Sequence, residues 1–536
     1  MKIKALVMAT ISKGLALGLV LLPSLLFAQT ERWVWRYNGT NSYDDAAYSA
    51  IYGTDGNIYA AGVSDWTSTG QDFTVVSLTT SGSQRWVYRY NGYQAYGDGA
   101  NSIVYGAGNL YAAGRSYNNT SSSSDFTVIS LTPSGTSRWV YTYNGLANDW
   151  DEANSIVYGG DGNLYAAGYS VAASGPEEDF TVLSLTSAGS RRWVYTYNGT
   201  RDDVDEAYSV IYGGDGNIYA AGVSDETSTG DDFTVVSLTS SGTQRWVYKY
   251  NGPGNGSDEA AAIIWGADGN LYAAGRSIGS GTNSDFTVIS LTPSGSFRWA
   301  GRLNGPGNGY DAAYSLVWGA DGNLYIAGGC QGNGTETDFV VLSLTPSGSI
   351  RWTYTYNGPG NYIDLGRSIV YGADGNLYIG GECSDTGNNG NFSVISLTLS
   401  GTERWVYTYN GSANLREWAY SVAYGSDGNI YAGGISEGSG TMRDFTVISL
   451  NRGTGIEEKE GQRSLVESQY KVIPNPFSSF ATIKSHEKEA FNLYDISGRL
   501  VGTYRGDRVG ADLGPGVYFL RPEGKDVKPL RIVKVR

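Results

Sequence analysis

The stretch Arg245-Trp-Val-Tyr-Lys-Tyr-Asn-Gly252 decides the fold, because close copies of it return along most of the chain. Its tryptophan recurs as Trp33, Trp86, Trp139, Trp193, Trp246, Trp299, Trp352 and Trp405, at a spacing of 53 residues that once becomes 54. A period this strict marks supersecondary units that cannot bury their own faces and must pack on one another. Each unit carries four strand patterns, which in the fifth copy run from Ala260 to Trp265, Asn270 to Arg276, Asp285 to Leu291 and Arg298 to Leu303. Asp268-Gly269 joins the first pair, and its positive φ angles suit a tight hairpin. Thr-Pro-Ser-Gly (Pro293, Gly295) joins the second pair. Four-stranded meanders repeated with no helix between them predict the blades of a β-propeller.

Strand order and ring closure follow from the same pattern. The first strand of each unit, rich in small residues, belongs innermost, and the tryptophan strand outermost. The repeats open at Arg32 with an outer strand and end at Leu450 with a third strand, so residues 32 to 38 should complete the last blade and remove its open edge. The expected fold is all-β: an eight-bladed propeller over residues 29–450, a polar linker over 451–468 containing Glu457-Glu-Lys-Glu460, and a small β-sandwich over 469–536.

Composition narrows the function. Among 536 residues there are 76 glycines and 42 tyrosines, and the formal charge is −15. No cluster of Lys and Arg suited to phosphates is present, so nucleic acid is not an expected partner. Residues 1–28 carry Lys2 and Lys4, the apolar run Gly14 to Leu22 and a small residue at Ala28, the pattern of a signal peptide cleaved after Ala28. No later segment is apolar for the roughly 20 residues a membrane helix needs. Cys330 and Cys383, 53 residues apart in neighbouring repeats, are a disulfide in one reading and two free, partly buried thiols in the other.

Two resemblances extend this reading. Asp205-Glu-Ala-Tyr-Ser209, Gly216-Asn-Ile-Tyr-Ala-Ala-Gly222 and Asp232-Phe233 resemble elements of the bacterial β-propeller repeat (SBBP) family, over residues 32 to 450. That likeness implies the fold and little about activity. At the end of the chain, Tyr470-Lys-Val-Ile-Pro474-Asn475-Pro476-Phe477, Leu493-Tyr-Asp-Ile-Ser-Gly498-Arg499, Leu513-Gly-Pro-Gly516-Val-Tyr518-Phe-Leu520 and the closing Arg531 to Arg536 resemble the type A sorting domain of the type IX secretion system. This implies export, recognition by an outer-membrane translocon, and delivery to the surface of a Gram-negative bacterium or release from it.

Candidate ligand groups lie on the face that carries the longer connections. Loops between second and third strands vary from copy to copy, as in Asp65-Trp-Thr-Ser-Thr-Gly70 and Glu437-Gly-Ser-Gly-Thr441, whereas the short turns barely change. Trp66, Trp150 and Trp418 break the repeat near this face. One carboxylate precedes each first strand: Asp45, Asp98, Asp151, Asp205, Asp258, Asp311, Asp364 and Glu417. Each either fixes its own loop by hydrogen bonds or binds a cation or polyhydroxyl ligand. At blade spacings of about 10 Å all eight could stay ionised and make the channel mouth anionic. No single ion can be caged by all eight, and no cofactor is expected, calcium being the one ion such oxygen ligands would take. Two further columns, one running from Asp72 to Asp444 and one from Asp55 to Asp427, lose a member at Asn391 and at Ala107-Gly108 respectively, which points to local turn chemistry.

Catalysis has little to work with. The sole histidine, His486, lies outside the repeats, so no Ser-His-Asp relay exists there. Carboxylate pairs such as Asp151 with Glu152, Asp205 with Glu206 and Asp258 with Glu259 would be the basis of glycosidic cleavage, but adjacent strand residues face opposite ways. The expected function is non-catalytic recognition of an extracellular glycan, protein or matrix component. The alternatives are a polysaccharide-acting enzyme and a purely structural surface protein.

Overall fold

The computed structural model describes residues 31–40, 44–65, 70–93, 97–117, 123–171, 177–201, 203–226, 230–387, 390–411, 413–452, 471–473, 478–484, 488–494, 500–510, 512–514, 516–522 and 530–534. These residues are all-β, with no helix among them. The chain divides into two compact units, Met1–Gly455 and Ile456–Arg536. The first is built of four-stranded antiparallel sheets, eight of them among the described residues, an arrangement consistent with a multi-blade propeller.

The fifth repeat illustrates how one sheet forms. Glu259–Trp265, Leu271–Ile278, Ser284–Leu291 and Phe297–Leu303 pair in sequence order as a meander. The two middle strands are buried almost throughout, which is why Asp-Phe-Thr-Val-Ile-Ser-Leu runs apolar with only hydroxyls between. Burial on both faces requires a neighbour on each side. Tyr219, Phe233 and Val235 of the fourth repeat accordingly form one core with Ala260, Ile263, Leu271 and Ile289 of the fifth. Fully buried side chains of this size each contribute roughly 1.5–3 kcal/mol.

The short turns show why the repeat spells them as it does. In Gly266-Ala-Asp-Gly269 a hydrogen bond from Gly269 N to Gly266 O closes the turn at 2.9 Å, and only Gly269 adopts a positive φ, of 78°. Asp268 thus does not share the left-handed conformation expected for an Asp-Gly pair. It acts through its side chain: Oδ2 accepts from Tyr272 Oη at 2.7 Å and from Asn270 Nδ2 at 2.9 Å. Arg298 Nη1 in turn donates to Tyr272 Oη at 2.9 Å and to Ser290 Oγ at 2.7 Å, tying the hairpin to the outermost strand. In the third-to-fourth turn Gly295, at φ 84°, is doubly constrained, because a Cβ there would stand 2.7 Å from the Trp246 ring of the preceding sheet. Trp246 Nε1 also donates to Pro293 O at 3.1 Å.

One sheet joins the two ends of the repeat region. Glu31–Tyr37 pairs antiparallel with Arg443–Leu450, in register Trp35 with Val447 and Tyr37 with Phe445. Links between this sheet and the first repeat have the same form as links elsewhere. Trp33 Nε1 donates to Thr80 O at 2.9 Å, and Ala50 N donates to Ser421 Oγ at 3.1 Å, as Val210 N does to Ser155 Oγ at 3.3 Å. Tyr431, Phe445 and Val447 share a core with Ala47, Ile58 and Val76. Because this sheet has no third-to-fourth turn, the indole nitrogen of Trp405 is buried without a hydrogen-bond partner among the described residues.

Cys330 and Cys383 are both free and buried, in different cores, so no bridge joins them. In the second unit Lys471–Ile473 pairs with Thr482–Lys484, and a four-stranded sheet has the order Leu500–Arg505, Ala490–Tyr494, Gly516–Pro522, Leu530–Lys534. Ala481, Ile483, Phe491, Leu493, Leu520 and Ile532 form its core. Gly516 and Tyr518 lie in a strand, and Tyr518 Oη donates to Gly514 O at 3.0 Å. Pro474, Asn475, Pro476, Phe477, Gly498 and Arg499 lie outside the described residues, as does the signal segment.

The shortened hairpin of the second repeat generates a stability prediction. There Ala107 is forced to φ 46° beside Gly108 at φ 73°, a left-handed conformation that costs an L-residue roughly 1–2 kcal/mol. Ala107→Gly should stabilise the protein by about 1 kcal/mol, read as a higher urea midpoint at unchanged slope. An unchanged or lower midpoint would show that the turn carries no strain.

Candidate functional site

The eight carboxylates that precede the first strands are all buried, at 0–1% exposure. Asp205 shows what each does. Its Oδ2 accepts from Gly199 N at 2.7 Å, at the end of the preceding sheet's outer strand, and its Oδ1 accepts from Asp225 N at 3.0 Å, in its own second strand. Its backbone N donates to Glu178 O of the preceding sheet at 2.8 Å. One residue therefore bolts two sheets and both longer connections together, and places those connections on the same side. Asp45, Asp98, Asp151, Asp258, Asp311 and Asp364 accept from the equivalent backbone nitrogens, among them Gly39, Gly92, Gly145, Gly252, Gly305 and Gly358. Glu417 is one methylene longer. Its Oε1 accepts from Gly411 N at 2.6 Å and its Oε2 has no hydrogen-bond partner among the described residues.

This burial works against ionisation at every one of these positions. Desolvation outweighs the backbone hydrogen bonds and pushes Asp45, Asp151, Asp205 and Glu417 up to about 7, and Asp98, Asp258 and Asp364 up to about 6. Asp311 is raised for the same reason. The physical cause is burial of the charged form, which a surface estimate in water leaves out. The hairpin carboxylate Asp268 behaves oppositely. Burial would raise Asp268, but hydrogen bonds from Tyr272 and Asn270 outweigh it and hold the group below its ordinary value.

A second set of side chains, only partly buried, comes from a bulge in the same strands. In every sheet the register of the first strand slips by one residue, between Ala207 and Ser209 in the fourth repeat and between Ala260 and Ala262 in the fifth. The skipped residue has no ladder partner, and a bulge of this kind re-aims its side chain. The skipped residues are Tyr48, Asn101, Asn154, Tyr208, Ala261, Tyr314, Arg367 and Tyr420, all only partly buried. The backbone device is constant while the residue it carries changes.

These residues and their neighbours form a belt that passes from sheet to sheet. Asn101 Nδ2 donates to Glu152 Oε1 at 2.6 Å, and Asn154 Nδ2 donates to Glu206 Oε1 at 2.8 Å. Arg115 pairs with Glu152 at 2.8 Å, and Arg276 with Glu259 at 2.8 Å. Arg367 pairs with Glu382 at 2.5 Å, and the Tyr48 and Tyr420 rings meet edge-on at 5.3 Å. Burial, and then the charges of Glu178 and Glu152, push Glu206 up to about 7 against the Asn154 hydrogen bond. Carboxylates thus gather in the third to fifth repeats, whereas Arg367, Arg443 and aromatic rings gather at the other end of the described chain.

The sequence-predicted tryptophans have separate fates. Trp150 is 44% exposed and packs edge-on to Tyr117 at 5.9 Å. Trp418 is half-buried, with Arg367 and Arg443 over its ring. Trp66 lies outside the described residues. Sequence reasoning passed over the bulge residues, although the Asp-x-Ala-Tyr-Ser position was already the one that reads Tyr, Asn, Asn, Tyr, Ala, Tyr, Arg, Tyr down the repeats. Among the described residues no group of three or more His, Cys, Asp or Glu is placed to hold a metal ion.

No protein-family profile matches the chain, and no curated protein does. Solved structures similar in shape include a protein of unknown function from Dyadobacter fermentans DSM 18053, at 10% identity and a TM-score of 0.37, covering 79% of this chain and 99% of that one. A eukaryotic initiation factor matches at 12% identity and a TM-score of 0.38, covering 75% and 89%. A neuraminidase-like N11 protein of A/flat-faced bat/Peru/033/2010 (H18N11) matches at 10% identity and a TM-score of 0.34, covering 80% and 96%. Likenesses this distant assign no activity.

Two predictions concern the bolts. Asp205→Ala strands the Gly199 and Asp225 N–H groups, each worth roughly 1–3 kcal/mol when buried and unpaired. The unfolding free energy should fall by about 3 kcal/mol in urea titration, and a loss below about 0.5 kcal/mol would exclude the bolting role. For pH, the folded values near 6–7 stand above the ordinary 3.8 for aspartate. The stability these groups contribute is therefore full below about pH 4 and is lost as pH rises through about 6–7. The melting temperature should fall between pH 5 and pH 8. A rise across that interval would mean that these carboxylates are ionised throughout.

Proposed function

We propose that residues 31–452 close into an eight-bladed propeller that binds an extracellular glycan, protein or matrix component on its loop-bearing face, without converting it. The observation that carries this reading is the bulge in every first strand. It presents tyrosine, asparagine, alanine or arginine from copies of an otherwise uniform scaffold, and variation on a fixed frame is how recognition surfaces are built. Tyr, Asn, Glu and Arg side chains side by side offer planar faces and paired hydrogen-bonding groups, the chemistry that suits polyhydroxyl ligands. Closure is supported by the outer strand Glu31–Tyr37 taking the fourth place of the last sheet.

Delivery to the outside belongs to the same proposal. Residues 1–28 are removed after Ala28, and residues 469–536, as a type A sorting domain, are read by the type IX translocon and direct the protein to the cell surface or into the medium. The support is the spaced motifs of the C-terminal segment and its own compact core. A second reading, action on a polysaccharide, draws on Glu206. A carboxyl raised to about 7 beside other carboxylates has the character of a general acid.

A glycan array and a polysaccharide turnover assay, both on the full mature chain, separate the readings. Binding without turnover is expected, and Tyr208→Ala or Tyr420→Ala should weaken it about tenfold, or about 1.4 kcal/mol, with the melting temperature read alongside to separate lost binding from lost packing. Release of product from any polysaccharide defeats the non-catalytic reading, and an intact fold with no ligand favours the purely structural one. Electron micrographs of an open arc in place of a ring would defeat closure.

A further inference from the structure

Three positions at which the chain departs from its own repeat converge on one spot. Trp418 follows Glu417 where other first strands carry residues such as Ala46, Glu152 or Leu365. Arg367 is the one cation among the bulge residues, and Arg443 is the one cation at the residue before the Asp-Phe element, where other copies have Gln71, Ser124 or Glu178. The Arg443 guanidinium carbon stands 5.2 Å from the centre of the Trp418 ring, and that of Arg367 stands 5.5 Å from the same ring and 5.6 Å from Tyr420. A cation over an indole face is attracted by the ring quadrupole, and a guanidinium also stacks flat on it.

The two arginines are not equally committed. Arg367 is tethered to Glu382, itself 4% exposed, at 2.5 Å. Arg443 has Asp44 at 3.7 Å and Glu437 at 4.0 Å, both beyond hydrogen-bond range, and its side chain keeps 32% exposure. Its guanidinium lies over Trp418 and, among the described residues, its side-chain nitrogens make ion pairs but no hydrogen bond, which leaves donors able to receive a planar oxyanion bidentately. We propose that Arg443, backed by Arg367 and seated on Trp418, forms an oxyanion subsite that takes the carboxylate of an acidic sugar residue in an extracellular polysaccharide.

This inference rests on the glycan-binding reading above and gives it a direction. Arg115 and Arg276 are already paired with Glu152 and Glu259 at 2.8 Å, so an acidic sugar finds the least committed cation of the belt at Arg443. The net charge of −15 opposes it only weakly, because at physiological ionic strength charges farther than about 8 Å are largely screened. A sulfate ester offers the same oxyanion chemistry and is separated by the choice of probe.

The test is calorimetric titration of the full mature chain with tetragalacturonate, with its methyl ester and with a sulfated galactan tetrasaccharide. The acid should bind at least about tenfold more tightly than the ester. Arg443→Gln should bring that ratio close to one while leaving ester affinity within about twofold, Arg443→Lys should keep part of the preference, and Trp418→Leu should lose it. Melting temperatures check each fold, and if Trp418→Leu unfolds, the Arg443 variants decide alone. An ester that binds as tightly as the acid, or a preference that survives Arg443→Gln, overturns the subsite and leaves glycan binding standing. Tighter binding of the sulfated galactan overturns the carboxylate assignment, and failure of all three tetrasaccharides to bind overturns the inference together with the glycan reading.

Discussion

The buried carboxylate at the entrance to each first strand is the interaction on which the repeat region depends. It satisfies two backbone N–H groups that would otherwise be stranded where the chain passes from one sheet to the next, and its own backbone N binds the preceding sheet. Leaving these groups unpaired would cost more than the hydrogen bonds gain in water, so geometry at this junction is set at every repeat. The cost appears in the raised pKa values, because a buried carboxyl resists ionisation even with two donors aimed at it.

At the opposite ends of the strands a different set of contacts performs the same task. Each tryptophan from Trp33 to Trp352 donates to a carbonyl in the short turn of the next sheet, and in the fifth repeat Arg298, Tyr272 and Asp268 chain hydrogen bonds along the sheet edge. Pinning both ends frees the connections from a structural duty. Loops between second and third strands can then change length and composition while the sheets stay in register, which is what makes one face variable and the other nearly uniform.

The bulge in the first strand converts that uniform frame into a set of distinct positions. A regular ladder would alternate its side chains between the two neighbouring sheets, where small residues such as Ala207 and Ala260 are required by packing. Slipping one residue adds a side chain that has no ladder partner. That side chain packs at the rim, as Tyr48 and Tyr420 do against Ala46, Val63 and Ile435, and the position takes tyrosine, asparagine, alanine or arginine on the same backbone device. Where it is arginine, the neighbouring Glu382 stands where other copies carry residues such as Val63, Arg115 or Tyr169, and Trp418 where they carry Ala46, Glu152 or Leu365, so the departures meet in space although they lie apart along the chain.

Much of the architecture was legible in the sequence: the period, the four strands per repeat, the glycine turns and the split last sheet all follow from spacing and turn chemistry, which are local properties. So did the structural role of the hairpin aspartates, since the repeat survives the loss of one. What only the tertiary structure decided is where side chains point across sheets. Periodicity singled out Asp45 and its equivalents but not that both oxygens turn to backbone, and it could not place Arg443 against Trp418, because those contacts are made between strands whose neighbourhood arises only when sheets pack. The bulge was likewise hidden, since a one-residue slip leaves composition and spacing unchanged. Cys330 and Cys383 make the same point: one repeat apart in sequence, they sit in separate cores, because successive repeats face each other through different sides of their sheets.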